Sequence, residues 1–353
     1  QGDYLWSNTN FGEAITEVMT PLTWSVIQFT LGDWVYVPGY TTVGNIGGYP
    51  YVNISVLRTA LQAIGRDRQD LLDTMEGTLY MQIPDEMEIP GVPYPRRASF
   101  RLFQQLLRVQ LRLLHGEKRL PVYLAENPAW FQQAQEKIRR EQTNTELLAL
   151  WNTEIRPHIK QGVWTVLGAS MSSERFTVRL RKQLTALAGS EMANLLIADL
   201  DSPAGLLPSL GLVVGLNQVA NGEMTRAVYL QRYGHRGPHE FELSQPRPSE
   251  APDWLDAQIG LLRASPIDPQ GLQNQKKAAQ EQAWESFSVQ FPGKVKSIRK
   301  QLTKSARRAI GREHARSEYV RDRWLIRLFA VQASLLNDLG QEVFFLTLDE
   351  ILQ

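Results

Sequence analysis

Arg232-Tyr233-Gly234-His235-Arg236-Gly237-Pro238-His239-Glu240, running on through Pro246-Arg247 to Glu250-Ala251-Pro252, is a stretch that no helix can thread. Proline has no amide hydrogen to donate, and glycine favours backbone angles that other residues avoid. The segment therefore reads as a shaped loop crowded with histidines, arginines and glutamates. Loops of that kind on a rigid scaffold often carry function. On composition alone, the same arginines and glutamates serve equally well as surface pairs of little energetic consequence.

Outward from this loop the pattern is helical. Phe100, Phe103, Leu106, Leu107, Leu111 and Leu114 share a stripe that Ser99 opens and Gly116 closes, with Arg101, Arg108 and Arg112 as its solvated face. Residues 128–156 read as a long helix, and the pattern continues through 161–188 with a break near 168–173. Beyond the loop, 252–264 and 272–287 read as helices. A basic stretch from Lys294 to Arg327 leads into a last helix over about 307–340, and Val343-Phe344-Phe345-Leu346 reads as a short strand. Gly44-Asn45-Ile46-Gly47-Gly48 lacks the Gly-Lys-Ser/Thr ending of a phosphate loop and reads as a turn. The predicted fold is mainly α, a large multi-helix domain with a few short strands near the termini. It spans 1–353 as one domain, or as two helical lobes of about 1–190 and 191–353.

The 353 residues carry a net charge of +1 and are 43% apolar, an ordinary globular balance with no global field to draw nucleic acid or membrane. With no cysteine, disulfides, thiolate nucleophiles and cysteine metal sites are excluded, which fits a cytoplasmic protein. No leader-like or membrane-spanning run is expected, and a chain opening on Gln1 reads as an excised domain.

The loop resembles the Y-G-H-R-G-x-x-E…P-R-x-x-E-x-P signature in the central domain of enzymes related to phosphoenolpyruvate synthase, above all the rifampicin phosphotransferases. Trp6-Ser7-Asn8-Thr9-Asn10-Phe11-Gly12-Glu13 with Thr20-Pro21-Leu22-Thr23-Trp24-Ser25 is similar to that family's opening. Tyr49-Pro50-Tyr51-Val52-Asn53-Ile54-Ser55 is similar to its Y-x-N-x-S turn. Arg312-Glu313-His314-Ala315-Arg316 and Val343 through Ile351 resemble its R-E-x-x-K/R and closing segments. The blocks keep family order over about a third of the chain. Pro248 and Glu342 depart from the pattern, where the family often has Trp and Asp.

The resemblance implies an acceptor domain, which presents a hydroxyl of a bulky, apolar, rifamycin-like molecule to a phosphohistidine carried by another domain, as in antibiotic resistance. Arg312 and Arg316 lie one helical turn apart and would meet the incoming phosphate, since planar guanidinium forks suit phosphate oxygens. Arg316 is a poor proton acceptor, so His235 is the candidate for taking the hydroxyl proton, or else it holds the loop together through its ring nitrogens. Arg236 and Glu240 in the loop, with Asn10 and Glu13 near the start, would orient the substrate. Phe11 and Trp24, with Met19 and Trp34, are candidates for an apolar pocket wall. His235 and His239 are four apart, but Gly237 and Pro238 between them exclude the helical geometry of a metal pair, so no metal is expected.

No nucleotide-binding glycine motif, ATP-grasp segment or phosphohistidine segment is recognisable. The chain is expected to hold no cofactor of its own, with ATP and Mg on the missing domains, and to be inactive alone. Its partners would be the small-molecule acceptor and those two domains. Two alternatives remain: the same family with a different metabolite acceptor, or a non-catalytic helical module whose 294–327 face binds RNA or an acidic partner.

Overall fold

The computed structural model describes residues 3–12, 14–32, 37, 39–79, 84, 87–94, 99–197, 208–264 and 269–353. Glu13 and Trp34 lie outside the described residues. The fold is mainly α, 75% helical, with one small sheet near the start. The chain divides into two compact units, each assembled from separated segments: 1–168, 238–246 and 318–353 in unit one, 169–237 and 247–317 in unit two.

In unit one, β1 (Trp6–Ser7) and β2 (Val43–Ile46) flank β3 (Tyr49–Asn53), with both pairings antiparallel. Of the glycine-rich run expected as a turn, Gly44 to Ile46 belong to β2 and Gly47-Gly48 make the turn into β3. Gly47 and Gly48 take φ of 63° and 89°, and the Gly48 amide donates to Asn45 Oδ1 at 2.8 Å. Gly48 could not be a larger residue in any case, because a Cβ there would lie 2.5 Å from Val18 Cγ1.

The helices of unit one start where the sequence supplies caps. α1 (Thr9–Gly12) is a single turn. In α2 (Pro21–Leu31), Thr20 caps and Pro21 takes the first position, where its missing donor is harmless. Asn53 caps α3 (Ile54–Ala63) by accepting from the Val56 amide, and Ser55 Oγ accepts from the Leu5 amide. The Tyr-Val-Asn-Ile-Ser motif is thus a strand end, a cap and a tie to the neighbouring segment. α4 (Arg68–Leu79) follows, then α5 (Ser99–Arg140), α6 (Asn144–Leu150), a π-helical turn (Trp151–Ile155) and α7 (Arg156–Ile197).

α5 corrects two expectations. It does not stop at Gly116, and the face it buries is not the leucine stripe. Phe100, Phe103, Leu107, Leu111 and Leu114 are between 46% and 67% exposed, while Leu102, Val109, Leu113 and Tyr123 are buried. The physical reason lies at Gly116 and Gly168. A Cβ on Gly116 would sit 2.0 Å from the Trp164 carbonyl oxygen, and one on Gly168 would sit 2.3 Å from that of Leu113. The two glycines let the backbones of α5 and α7 touch, and that contact selects the inward face.

The core of unit one is built around fully buried Trp151, whose ring lies 4.8 Å from that of Phe329, with Phe131 4.9 Å from Trp324. Phe329 and Trp324 come from the C-terminal part of α12 (Val295–Asn337). Val343-Phe344-Phe345 is a 3₁₀ turn (Gly340–Phe345) and not the expected strand, followed by α13 (Leu348–Ile351) with a Thr347–Glu350 capping box. Short apolar runs do not distinguish these states by periodicity.

Unit two holds α7 from Ala169 onward, then α8 (Pro208–Ala220), α9 (Arg226–Tyr233), α10 (Trp254–Ala264), α11 (Pro269–Gln290) and α12 up to Ser317. The break expected at 168–173 is absent. Helical backbone is lost instead at Gly189, with φ 82° and ψ 164°. Leu184, Leu196, Phe287 and Ile298 centre one apolar cluster, and Tyr229, Leu255 and Ile259 another. Among the described residues, no helix is long and apolar enough to cross a membrane.

Candidate functional site

The Gly-His-Arg loop begins where α9, capped by Thr225, ends at Gly234. That glycine is demanded by close approach: a Cβ there would meet Ser249 Oγ at 1.8 Å and the Leu230 carbonyl at 2.4 Å. The Ser249 amide closes the loop by donating to the Gly234 carbonyl at 3.1 Å, and Arg236 N donates to Tyr233 O at 2.8 Å. Arg247 is buried and opens a 3₁₀ turn (Pro248–Glu250) whose Glu250 carboxylate accepts from the Arg247 amide at 2.7 Å. Pro248, the departure from the family pattern, takes the first position of that turn.

His235 is 1% exposed, and its Nε2 lies 2.9 Å from Ser317 Oγ on α12, one residue beyond Arg316. The loop histidine and the Arg-Glu-x-x-Arg helix therefore meet within unit two. Arg312 on that helix pairs with Glu174 of α7 and, at 3.3 Å, with Glu313. Arg316 is exposed. Arg308 and Lys304 lie over the Phe176 ring at 4.9 and 5.3 Å. The Arg312 fork is thus held by Glu174 of α7 and by Glu313 of its own helix, and Arg308 by the Phe176 face of α7.

The other end of the loop, 238–246, belongs to unit one. Buried Glu242 accepts from Thr20 N (3.1 Å), Thr20 Oγ1 (2.8 Å), Thr23 Oγ1 (3.0 Å) and Ser244 N (2.9 Å). Burial alone would raise its pKa, but the hydrogen bonds from Ser244 and Thr20 outweigh that and hold the carboxylate below its ordinary range. A negative charge at the N-terminus of α2 is further favoured by the helix dipole. Arg323 and Arg327 of α12 hold the same segment from the other side, donating to Phe241 O (2.7 Å) and to Leu243 O (2.6 Å). His239 Nδ1 lies 2.7 Å from Glu17 Oε1. Among the described residues, no cluster of His, Asp and Glu is suited to a metal ion.

His235, Arg236, Arg312 and Arg316 thus lie in unit two, and Asn10, Phe11, Trp24 and buried Glu240 lie in unit one. Phe11 and Trp24 do come together: with Ile15, buried Met19, Ile27 and Phe241 they form one apolar cluster. The residues that hold the candidate site residues and their loop, and that the sequence did not flag in that role, are Glu242, Glu174 and Ser317. Glu242 was the most findable, since Thr20 and Thr23 at a helix start call for an acceptor. Glu174 lies 138 positions from its arginine and left no local signal.

Residues 197–313 match the model of the rifampicin phosphotransferase fourth domain. The matched stretch contains His235, Arg236, Glu240 and Arg312 and stops short of Arg316. No curated protein matches the chain.

Proposed function

We propose that this chain forms the acceptor side of a phosphotransferase, a reading supported by the match of residues 197–313 to the rifampicin phosphotransferase fourth domain. It would hold a hydroxylated, largely apolar acceptor, and a phosphohistidine on another domain of the same enzyme would deliver the phosphoryl group. His235 takes the proton of the acceptor hydroxyl as the new O–P bond forms and the P–N bond of the phosphohistidine breaks, releasing its imidazole. Arg312 and Arg316, with Arg236, balance the charge on the transferring phosphoryl oxygens. Arg236, in the same unit as these residues, would orient the acceptor.

The observation that carries this reading is the 2.9 Å contact of His235 with Ser317, which ties the loop histidine to the helix of Arg312 and Arg316. Glu174 and Glu313 support it further, since a carboxylate-held guanidinium is preoriented for a phosphate. ATP and Mg would act on domains beyond this chain.

The test is a tryptophan-fluorescence titration of the chain with rifampicin at low and high salt, using its nine tryptophans as reporters. Saturable binding that salt barely changes is the expected result. No binding would remove the rifamycin acceptor and leave a different metabolite to be found. Binding that rises with RNA and collapses with salt would overturn the acceptor role itself.

A further inference from the structure

Unit one holds a cleft of about 440 Å³ between α5 and α7, a volume in the range of small-molecule sites. α5 lines it with Arg119, Tyr123 and Trp130, and α7 with His158, Gln161 and Thr165. The spacings of three, four and seven place each set on one helical face. No part of the Gly-His-Arg loop or of the 308–316 segment lines it.

The floor of the cleft is a polar network centred on Asn127. Asn127, fully buried, directs its Nδ2 at two carboxylates, 3.0 Å from Glu318 Oε2 and 3.0 Å from Asp322 Oδ1. Only a donor fits there, so the amide cannot be flipped, and its Oδ1 faces His158 Nε2 at 2.6 Å. His158 Nε2 therefore carries the hydrogen. Tyr123 Oη donates to the second oxygen of Asp322 at 2.6 Å, which completes the support. Gly162 allows this packing, since a Cβ there would lie 2.7 Å from Asp322 Oδ2.

Stacking fixes the imidazole plane: the Trp130 ring lies 3.4 Å away at 8°. Burial and the neighbouring Arg119 lower the His158 pKa to about 4, so the ring is neutral at physiological pH. A neutral imidazole with its Nε2 hydrogen engaged has an acceptor lone pair on Nδ1. Beside it, the buried Nε of Arg119 has no hydrogen-bond partner among the described residues. A guanidinium stays charged at any physiological pH, so that donor calls for an anionic acceptor. The other charges near the cleft are Glu126 in its lining and Glu318, Arg321 and Asp322 behind Asn127.

We propose that this cleft binds a small organic anion bearing a hydroxyl group, its anionic oxygens on Arg119 and its hydroxyl donating to His158 Nδ1. The anion and the hydroxyl are required together: Arg119 offers only donors, and neutral His158 offers only an acceptor. Asn127, Tyr123 and the two carboxylates act as positioning residues that hold the tautomer. The site stands on its own observations, independent of the phosphoryl-transfer reading.

The test uses the whole chain with ¹⁵N-labelled histidine rings, titrated with glycerate, with acetate as the anion that lacks a hydroxyl. Before ligand is added, His158 should show a neutral ring at pH 7 with hydrogen on Nε2; a charged ring or the other tautomer overturns the assignment. Glycerate should then shift the His158 Nδ1 signal saturably, and acetate should bind at least about tenfold more weakly, the worth of one good hydrogen bond. Arg119→Gln, on a helix surface, should weaken glycerate at least about tenfold with the fold intact. His158→Gln, which can still donate to Asn127, should reduce glycerate to the acetate level. No shift at His158 up to about 20 mM glycerate, equal affinity for both anions, or undiminished binding by a folded Arg119→Gln chain would each overturn the proposal.

Discussion

Replacing Glu242 by glutamine tests how firmly the charged tail of the Gly-His-Arg loop is anchored, because the exchange preserves shape while removing one charge. Oε1 accepts three of the four hydrogen bonds, from Thr20 Oγ1, Thr23 Oγ1 and Ser244 N, and a glutamine carbonyl oxygen placed there keeps them. Oε2 accepts from the Thr20 amide at 3.1 Å, and the glutamine NH₂ would set a donor against that donor. One charge-assisted bond is lost and a buried donor is orphaned, at a cost of about 1.5–3 kcal/mol. Glu242→Ala removes every acceptor and should cost more, about 3–5 kcal/mol. The pH dependence fixes the cause. The folded pKa is lowered, so the carboxylate contributes stability above its unfolded pKa, and that contribution is lost as pH falls through the folded value. In urea unfolding, wild type and Glu242→Gln should therefore differ most at neutral pH and converge below about pH 4. A neutral-pH difference under about 0.5 kcal/mol, or one that persists unchanged into acid, would refute the reasoning.

Gly116→Ala should destabilise by about 1–3 kcal/mol, since its Cβ falls on the Trp164 backbone. The same change at Gly260 of α10, which has nothing within 4 Å, should stabilise by up to about 1 kcal/mol, and equal signs in denaturant titrations would contradict the crossing. Leu113→Ala should cost about 2–5 kcal/mol, whereas Leu107→Glu and Leu111→Glu on the exposed stripe should stay within about 0.5 kcal/mol by thermal melting. Burial raises the Asp322 pKa to about 7. A carboxyl with a raised folded pKa costs stability as pH climbs from about 4 to about 7. Asp322→Asn, which keeps an acceptor for Asn127, should flatten that part of the stability profile, and an unchanged slope would assign the proton elsewhere.

What the sequence disclosed and what it withheld divide along a physical line. The loop and the glycine turn were legible because glycine and proline act on their immediate neighbours. α5 was not legible in the same way. It carries two apolar stripes, one through Leu107 and Leu111 and one through Leu102, Val109 and Leu113, and periodicity alone does not rank them. The choice is made by Gly116 against Gly168, a contact between helices. Read locally, the same glycine looked like a stop. The cleft was hidden more deeply, since His158 and Asp322 lie 31 and 195 positions from Asn127 and the three share no motif. His235 and the Arg312–Arg316 helix were flagged together, but what joins them is Ser317, a residue that carries no signal of its own.

The basic stretch from Lys294 to Arg327 shows why charge counting misleads about partners. On the page of the sequence it is a cationic face suited to RNA. In the fold, Arg299 lies 4.8 Å from the Trp284 ring centroid, and Lys304 and Arg308 lie over Phe176. Arg312 pairs with Glu174 and Glu313, and Arg321 with Glu318. Arg323 and Arg327 are buried and donate to loop carbonyls. Seven of the twelve Lys and Arg in this stretch thus pack on aromatic faces or bond to carboxylates and backbone, so the charge count alone does not say how many would meet a polyanion. Salt-dependent affinity grows with the number of phosphates neutralised, so the salt slope, and not the number of cations in the sequence, measures such binding.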